Sequence, residues 1–164
     1  MNQNKIQNVL VLCTGNSCRS VMGEALVNAL GHGRFKGYSA GSKPIGRINA
    51  GALATLKRHG LNTEGYSSKS MDAFMDQPID ILISVCDSAG KEPCPVFLGS
   101  AIRAHWGVKD PGHFDGSPEE VIAAFDATFD ILKRRVEALV DLPIHSMSKD
   151  ELSAELDRIG REVV

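Results

Sequence analysis

Apolar residues in this chain fall into short continuous runs that alternate with stripes at helical spacing. Val9 to Leu12 is an unbroken apolar run, and Asn8 to Leu12 reads as a buried strand. Val21, Met22, Ala25, Leu26, Ala29 and Leu30 then recur at helical spacing, predicting a helix from Ser17 or Cys18 to Leu30. Lys36 to Ala40 reads as a second strand. Asn49 to His59 reads as a helix that closes on Gly60, a residue suited to the left-handed turn past a helix end. Ile79 to Val85, preceded by Pro78, is a second strong buried strand, and Ala101 to Trp106 a short one. Ser117-Pro118-Glu119-Glu120 opens a helix with an N-cap, a proline in the first turn and early acids. Its core stripe is Ile122, Phe125, Phe129, Leu132, Val136 and Leu139. Ser148 and Glu151 make a capping box for a last helix that buries Leu152, Leu156, Ile159 and Val163.

Strands alternating with helices imply an α/β domain around a parallel sheet, and residues 1–164 read as one such domain. In a parallel sheet every strand-to-helix loop lies at the same edge, where ligands bind. Cys13, Cys86 and Asp110 each follow a predicted strand. The topology therefore brings all three to one cleft.

The first of those loops carries the most chemistry. Cys13-Thr14-Gly15-Asn16-Ser17-Cys18-Arg19-Ser20 joins a strand to a helix N-terminus, where unpaired amides and the helix dipole favour an oxyanion. The same field favours the thiolate of Cys13, Arg19 adds a full positive charge, and Ser20 is placed to donate a hydrogen bond to the sulfur. A Cys-x5-Arg pair by itself arises in roughly one chain in five of this composition, so the strand, the turn residues and the helix around it carry the argument. The bland reading is a buried structural Cys13 beside a helix start.

Composition narrows the setting. The chain is 43% hydrophobic and 23% charged with a net charge of −2, so no basic excess argues for nucleic acid. Met1 to Gln7 is polar and too short for a signal peptide, and no apolar run approaches a membrane span. Four cysteines without a secretory signal point to a reducing cytoplasm, where thiols are more often catalytic or metal-binding than disulfide-bonded.

Cys86 and Cys94 frame a polar stretch containing Gly90 and Pro93. They are either a resolving pair that draws oxidation away from Cys13, two unrelated thiols, or part of a metal site with His105. Their spacing fits no common zinc pattern. Cys18 packs inward from the first helical turn, and its side chain has no assigned role. Asp110-Pro111 reads alone as a turn starter. Over an oxyanion site, an Asp partly desolvated by Trp106 acts as a general acid. His32, His59, His113 and His145 share no site-like spacing and read as surface or loop residues. Gly41 to Gly46 has the glycine spacing of a nucleotide-binding loop but continues Arg47-Ile48 where Lys and Ser/Thr are required, which argues against ATP.

These segments resemble the arsenate reductases built on the low-molecular-weight protein tyrosine phosphatase fold. The resemblance rests on the Cys13 to Ser20 octet, Tyr38-Ser39-Ala40-Gly41-Ser42, the Cys86…Cys94-Pro95 segment and His105-Trp106-Gly107-Val108-Lys109-Asp110-Pro111. It implies a three-layer fold with about four parallel strands flanked by helices. It implies that arsenate binds to Thr14, Gly15, Asn16, Ser17, Cys18, Arg19 and Ser20, with Cys13 attacking arsenic and Asp110 protonating the departing oxygen. Cys86 would next attack Cys13 and release arsenite, and Cys94 would move the disulfide onward to an external reductant. No bound cofactor or metal is expected; the electron donor is thioredoxin, or glutathione with glutaredoxin. Thiols reduce As(V) but not phosphate, so the later cysteines separate a reductase from a phosphatase acting on phosphoryl esters, which is the alternative. A non-catalytic thiol module that sequesters arsenite is a further alternative.

The chain departs from the family in two places. Seven residues separate Cys86 from Cys94, where thioredoxin-linked members have six. Those members also hold potassium with Asn, Glu, Ser and Asp side chains. Asn16, Glu24 and Ser39 match, but Lys69 stands in place of the Asp, so its ammonium replaces the cation and no potassium dependence is expected.

Overall fold

A computed structural model describes residues 5–86 and 101–164. Four parallel strands form one sheet in the order β2-β1-β3-β4: β1 at Gln7–Cys13, β2 at Phe35–Gly41, β3 at Ile81–Ser84 and β4 at Ile102–His105. The helices are α1 at Arg19–Leu30, α2 at Ala50–Arg58, α3 at Pro118–Val140 and α4 at Lys149–Glu162. A four-stranded parallel sheet flanked by helices matches the fold class read from the sequence, with element ends shifted by a residue or two.

The sheet edge explains where the site lies. Register places Cys13 opposite Gly41, Leu12 opposite Ser84, and Ser84 opposite His105, so the C-terminal ends of all four strands line up. Val9, Val11 and Cys13 face the larger core, where α1, α2, α3 and α4 pack against Ile81, Ile83 and Trp106. Leu10 and Leu12 face the other side, with Ala40, Leu82 and Phe74 from a 3-10 turn at Met71–Phe74. Apolar residues on both sheet faces are why Val9 to Leu12 reads as a continuous run.

Both capping boxes form: Ser117 with Glu120 opens α3, and Ser148 with Glu151 opens α4. Gly60 takes φ +75 just past α2, as a left-handed terminator requires. One member of the α3 stripe is wrong: Ile122 is 43% exposed, while Phe125, Phe129, Leu132, Val136 and Leu139 are buried. A stripe spaced 3, 4, 3, 4 has a period of 3.5, and a straight helix drifts from it by about 20° per heptad. The first member has rotated out of the buried face. His59 also differs from a plain surface residue, since its ring stacks on Phe129 at 4.0 Å between centroids and bonds Asp126 at 3.1 Å.

Candidate active site

The loop after β1 is shaped by its neighbours. Thr14 O, Gly15 O and Ser17 O accept hydrogen bonds from the amides of Lys43, Ile45 and Asn49, at 2.9, 3.1 and 2.8 Å. In a trans peptide the next amide points opposite to the carbonyl, so the N–H groups of Gly15, Asn16 and Cys18 turn away from that wall, toward the inside of the loop. Asn16 supplies the sharp bend with φ 47, a conformation that Asn tolerates better than most residues. Gly41 makes room for it. A Cβ there would lie 2.5 Å from Thr14 O and 3.0 Å from Asn16 N. The N-terminus of α1 has no side-chain cap and no acid in its first turn, leaving its amides to an anion.

Side chains complete the arrangement. Ser20 Oγ lies 2.9 Å from Cys13 Sγ and accepts from Asn16 Nδ2 at 2.9 Å, which leaves its own proton available to a Cys13 thiolate. Arg19 is 8% exposed; its Nη1 donates to Val108 O at 3.1 Å and its Nη2 stands 3.6 Å from Asp110 Oδ2. Its Nε is buried with no partner among the described residues. A buried guanidinium N–H without an acceptor calls for one, and an oxyanion in the adjoining cavity is the fitting group. Asp110 Oδ1 accepts from Gly112 N at 2.9 Å and caps a short 3-10 turn, which leaves Oδ2 on the Arg19 side.

Cys13, Arg19, Cys86 and Asp110 all line one cavity of about 620 Å³. Cys86 Sγ is 3.5 Å from Thr14 Oγ1, which fixes the second thiol beside the first loop. Thr14, Gly15, Ser17 and Cys18 also line it, whereas Asn16 and Ser20 are fully buried behind it. Cys18 packs inward as the sequence implies; burial, with the Asp110 charge adding to it, pushes its thiol far above the ordinary range. Cys94 lies outside the described residues. Trp106 does not provide the expected desolvation of Asp110 by lying over it: its indole is buried in the core and donates to Leu156 O in α4 at 2.9 Å. Asp110 is held instead by Arg19 and the Gly112 amide.

The wall at 43–49 was not legible as part of the site. Lys43, Ile45, Arg47 and Asn49 line the cavity, in the stretch whose glycines resemble a nucleotide loop. The available signal was its position directly after β2, at the same sheet edge. Among the described residues three cations and one carboxylate face the cavity, a balance suited to anions.

The residues matching the potassium set are engaged with one another. Ser39 Oγ donates to Glu24 Oε1 at 2.5 Å, and Asn16 Oδ1 accepts from the Lys69 amide at 2.8 Å. Lys69 Nζ donates to Ser67 O at 3.0 Å, and its charge stabilises the Glu24 carboxylate. Among the described residues there is no cluster of three His, Cys, Asp or Glu side chains suited to a metal, and no helix long and apolar enough to cross a membrane.

Known proteins share this plan. An arsenate reductase of Bacillus subtilis is 32% identical over 139 residues, covering 85% of this chain and 97% of the relative. One from Halalkalibacterium halodurans is 31% identical over 133 residues, covering 81% and 94%. A solved arsenate reductase in a phosphate-binding state superposes with a TM-score of 0.67 at 27% identity, covering 82% of this chain and 97% of that one. The tyrosine phosphatase Wzb of Escherichia coli K30, solved with sulphate, shares the fold at a TM-score of 0.63 and 22% identity, covering 83% and 97%. The family model for low molecular weight phosphotyrosine protein phosphatases matches residues 8–155, from β1 through the oxyanion loop and Asp110 into α4. A match of that extent, which spans the Cys13 loop and the sheet edge, makes this chain a member of the low molecular weight phosphotyrosine protein phosphatase family.

Proposed function

We propose that the chain is an arsenate reductase that uses Cys13 as nucleophile and Cys86 as resolving thiol. The observation that carries this reading is Cys86, a thiol from the end of another strand on the wall of the same cavity as Cys13, with its Sγ 3.5 Å from Thr14 Oγ1. Phosphoryl transfer uses one thiol, whereas reducing As(V) takes two electrons, which Cys13 and Cys86 together can supply by forming a disulfide.

In this mechanism arsenate is held by the loop amides and by Arg19, whose unpaired Nε accepts the role of second donor. The Cys13 thiolate attacks As(V), and Asp110 gives its proton to the departing oxygen, which leaves as water. Cys86 thiolate attacks Cys13 Sγ; a disulfide forms, the Cys13–arsenic electron pair passes to arsenic, and arsenite departs as As(III). Two thiols are oxidised for each arsenate reduced. In the full relay Cys94 then attacks Cys86, freeing Cys13, and an external thiol donor reduces the Cys86–Cys94 pair. Such a cycle needs a reducing compartment, which places the protein in the cytoplasm. With Lys69 at the place of a cation, turnover in potassium and sodium salts is expected to be equal.

The test is arsenite formation by purified protein with thioredoxin and its reductase, or with glutathione and glutaredoxin. Turnover with the first donor supports a relay ending at Cys94; turnover only with the second makes Cys94 dispensable. Cys13→Ser and Cys86→Ser should each abolish turnover, and full turnover in Cys86→Ser would sink the mechanism. Hydrolysis of an aryl phosphate without arsenite would move the chain to the phosphatases. Against that alternative stands the cavity lining, which holds no aromatic residue among those described to grip an aryl ring.

A further inference from the structure

Asp110 reaches the cavity on segment 106–110, which follows β4 and has no helix or strand of its own. A carboxyl on such a segment is placed only as well as the backbone before it is held. Three successive carbonyls of that backbone are held by two guanidinium groups. Arg19 Nη1 donates to Val108 O at 3.1 Å, and Arg135 Nη1 donates to Trp106 O at 2.9 Å and to Gly107 O at 3.4 Å.

Arg135 is unusual in its own right. It lies on α3 within the buried stripe, 3% exposed, with Leu132, Val136 and Leu139 around it on the helix. Its recorded partners are main-chain carbonyls: those of Trp106 and Gly107, and Val163 O, which accepts from Nε at 2.8 Å. No carboxylate among the described residues is paired with it, and burial pushes its pKa below the usual arginine range. A buried cation without a counter-ion is unfavourable where a leucine would pack, so its presence points to the carbonyls it holds. Arg135 does not line the cavity, so any effect on chemistry runs through the backbone. The opposite side of the segment is fixed as well. Trp106 Nε1 donates to Leu156 O, and Gly160 lets α4 approach so closely that a Cβ there would lie 2.7 Å from Trp106 Cδ1.

We propose that Arg135 is a positioning residue for Asp110: by holding the carbonyls of Trp106 and Gly107 it aims the Asp110 carboxyl at the oxygen departing from the bound oxyanion. The inference rests on the reading of Asp110 as general acid in arsenate reduction.

The experiment is single-turnover arsenite release from the pre-reduced full chain at saturating arsenate, which needs no external donor. Arg135→Gln should slow release by about tenfold while the half-saturating arsenate concentration stays within about twofold, the split expected when an acid is misplaced and binding is intact. It should also flatten the dependence of the rate on pH. Arg135→Lys, whose ammonium reaches one carbonyl, should recover part of the loss. Arg134→Gln is the helix-matched control, because Arg134 donates to Val164 O at 3.2 Å and should leave the rate unchanged. The deciding comparison is made in an Asp110→Asn background, where adding Arg135→Gln should change the rate by less than about twofold. Equal losses in both backgrounds, an unchanged rate in Arg135→Gln, or an equal loss in Arg134→Gln would overturn the inference. If Arg135→Gln does not fold by circular dichroism, Arg135→Lys in the two backgrounds carries the same comparison. A parent chain that releases no arsenite overturns the reading of function, and this inference with it; a parent that does, with additive losses, overturns this inference alone.

Discussion

Both ends of the Asn16 side chain are occupied, Nδ2 on Ser20 and Oδ1 on the Lys69 amide, so one residue both bends the loop and orients the hydroxyl facing Cys13. Two thiols only five positions apart in the chain therefore meet different surroundings. Cys13 Sγ has the Ser20 hydroxyl beside it, while Cys18 is desolvated and lies near the Asp110 charge, which keeps its thiol protonated. Iodoacetamide at mildly alkaline pH should accordingly modify Cys13 and Cys86 and spare Cys18, as read by peptide mass spectrometry; labelling of Cys18 at the rate of Cys86 would contradict this. That Cys13, Arg19, Cys86 and Asp110 would share one cavity was legible because each follows or lies close to a strand end, and strand ends in a parallel sheet share an edge. Arg135 was not. A charged residue in a helical pattern reads as solvent-facing, and only tertiary contacts reveal that its partners are carbonyls from distant segments.

At the scale of elements, α1 and β2 are joined by a partly buried carboxyl. Glu24 in α1 accepts from Ser39 in β2, and burial raises its pKa above the ordinary value of 4.5, opposed by the Ser39 bond and the Lys69 charge. The folded chain thus binds this proton more tightly than the unfolded chain. Its contribution to stability is greatest below the unfolded value and is lost as pH rises from there through the raised folded value. Glu24→Gln should share the parent's stability trend in acid and gain on it as pH approaches neutrality, as measured by urea unfolding at several pH values. Parallel curves would contradict the assignment. Helix starts were the most legible elements: a capping box is a local bond between residues three apart, needing no knowledge of the rest of the fold. The wall at 43–49 was the least legible. It has no periodicity, and its contribution comes from main-chain amides that any sequence carries.

Over the whole molecule, α4 closes the end of the core beyond β4. Leu152, Leu156 and Ile159 are buried with Trp106 in the same cluster that holds α1 and α3. Leu156→Ala should cost about 2–5 kcal/mol by urea unfolding, the range for emptying a fully buried leucine site, and a loss under about 1 kcal/mol would mean that α4 is loosely attached. The Cys13 loop and the segment carrying Asp110 are tied together by Arg19, but much of their remaining support comes from different parts of the chain. The Cys13 loop is held by residues up to Lys69 and, through Arg19, by Val108, whereas the segment before Asp110 is held by Arg19 together with Arg135, Leu156 and, through Arg135, Val163. Chains grow from the N-terminus, and a domain folds as a unit once its parts are present. A chain halted before Lys149 would lack the carbonyls of Leu156 and Val163 that anchor Trp106 and Arg135. On the proposed reading, the segment carrying the acid therefore gains its last supports only when the final helix and the residues after it have been synthesised.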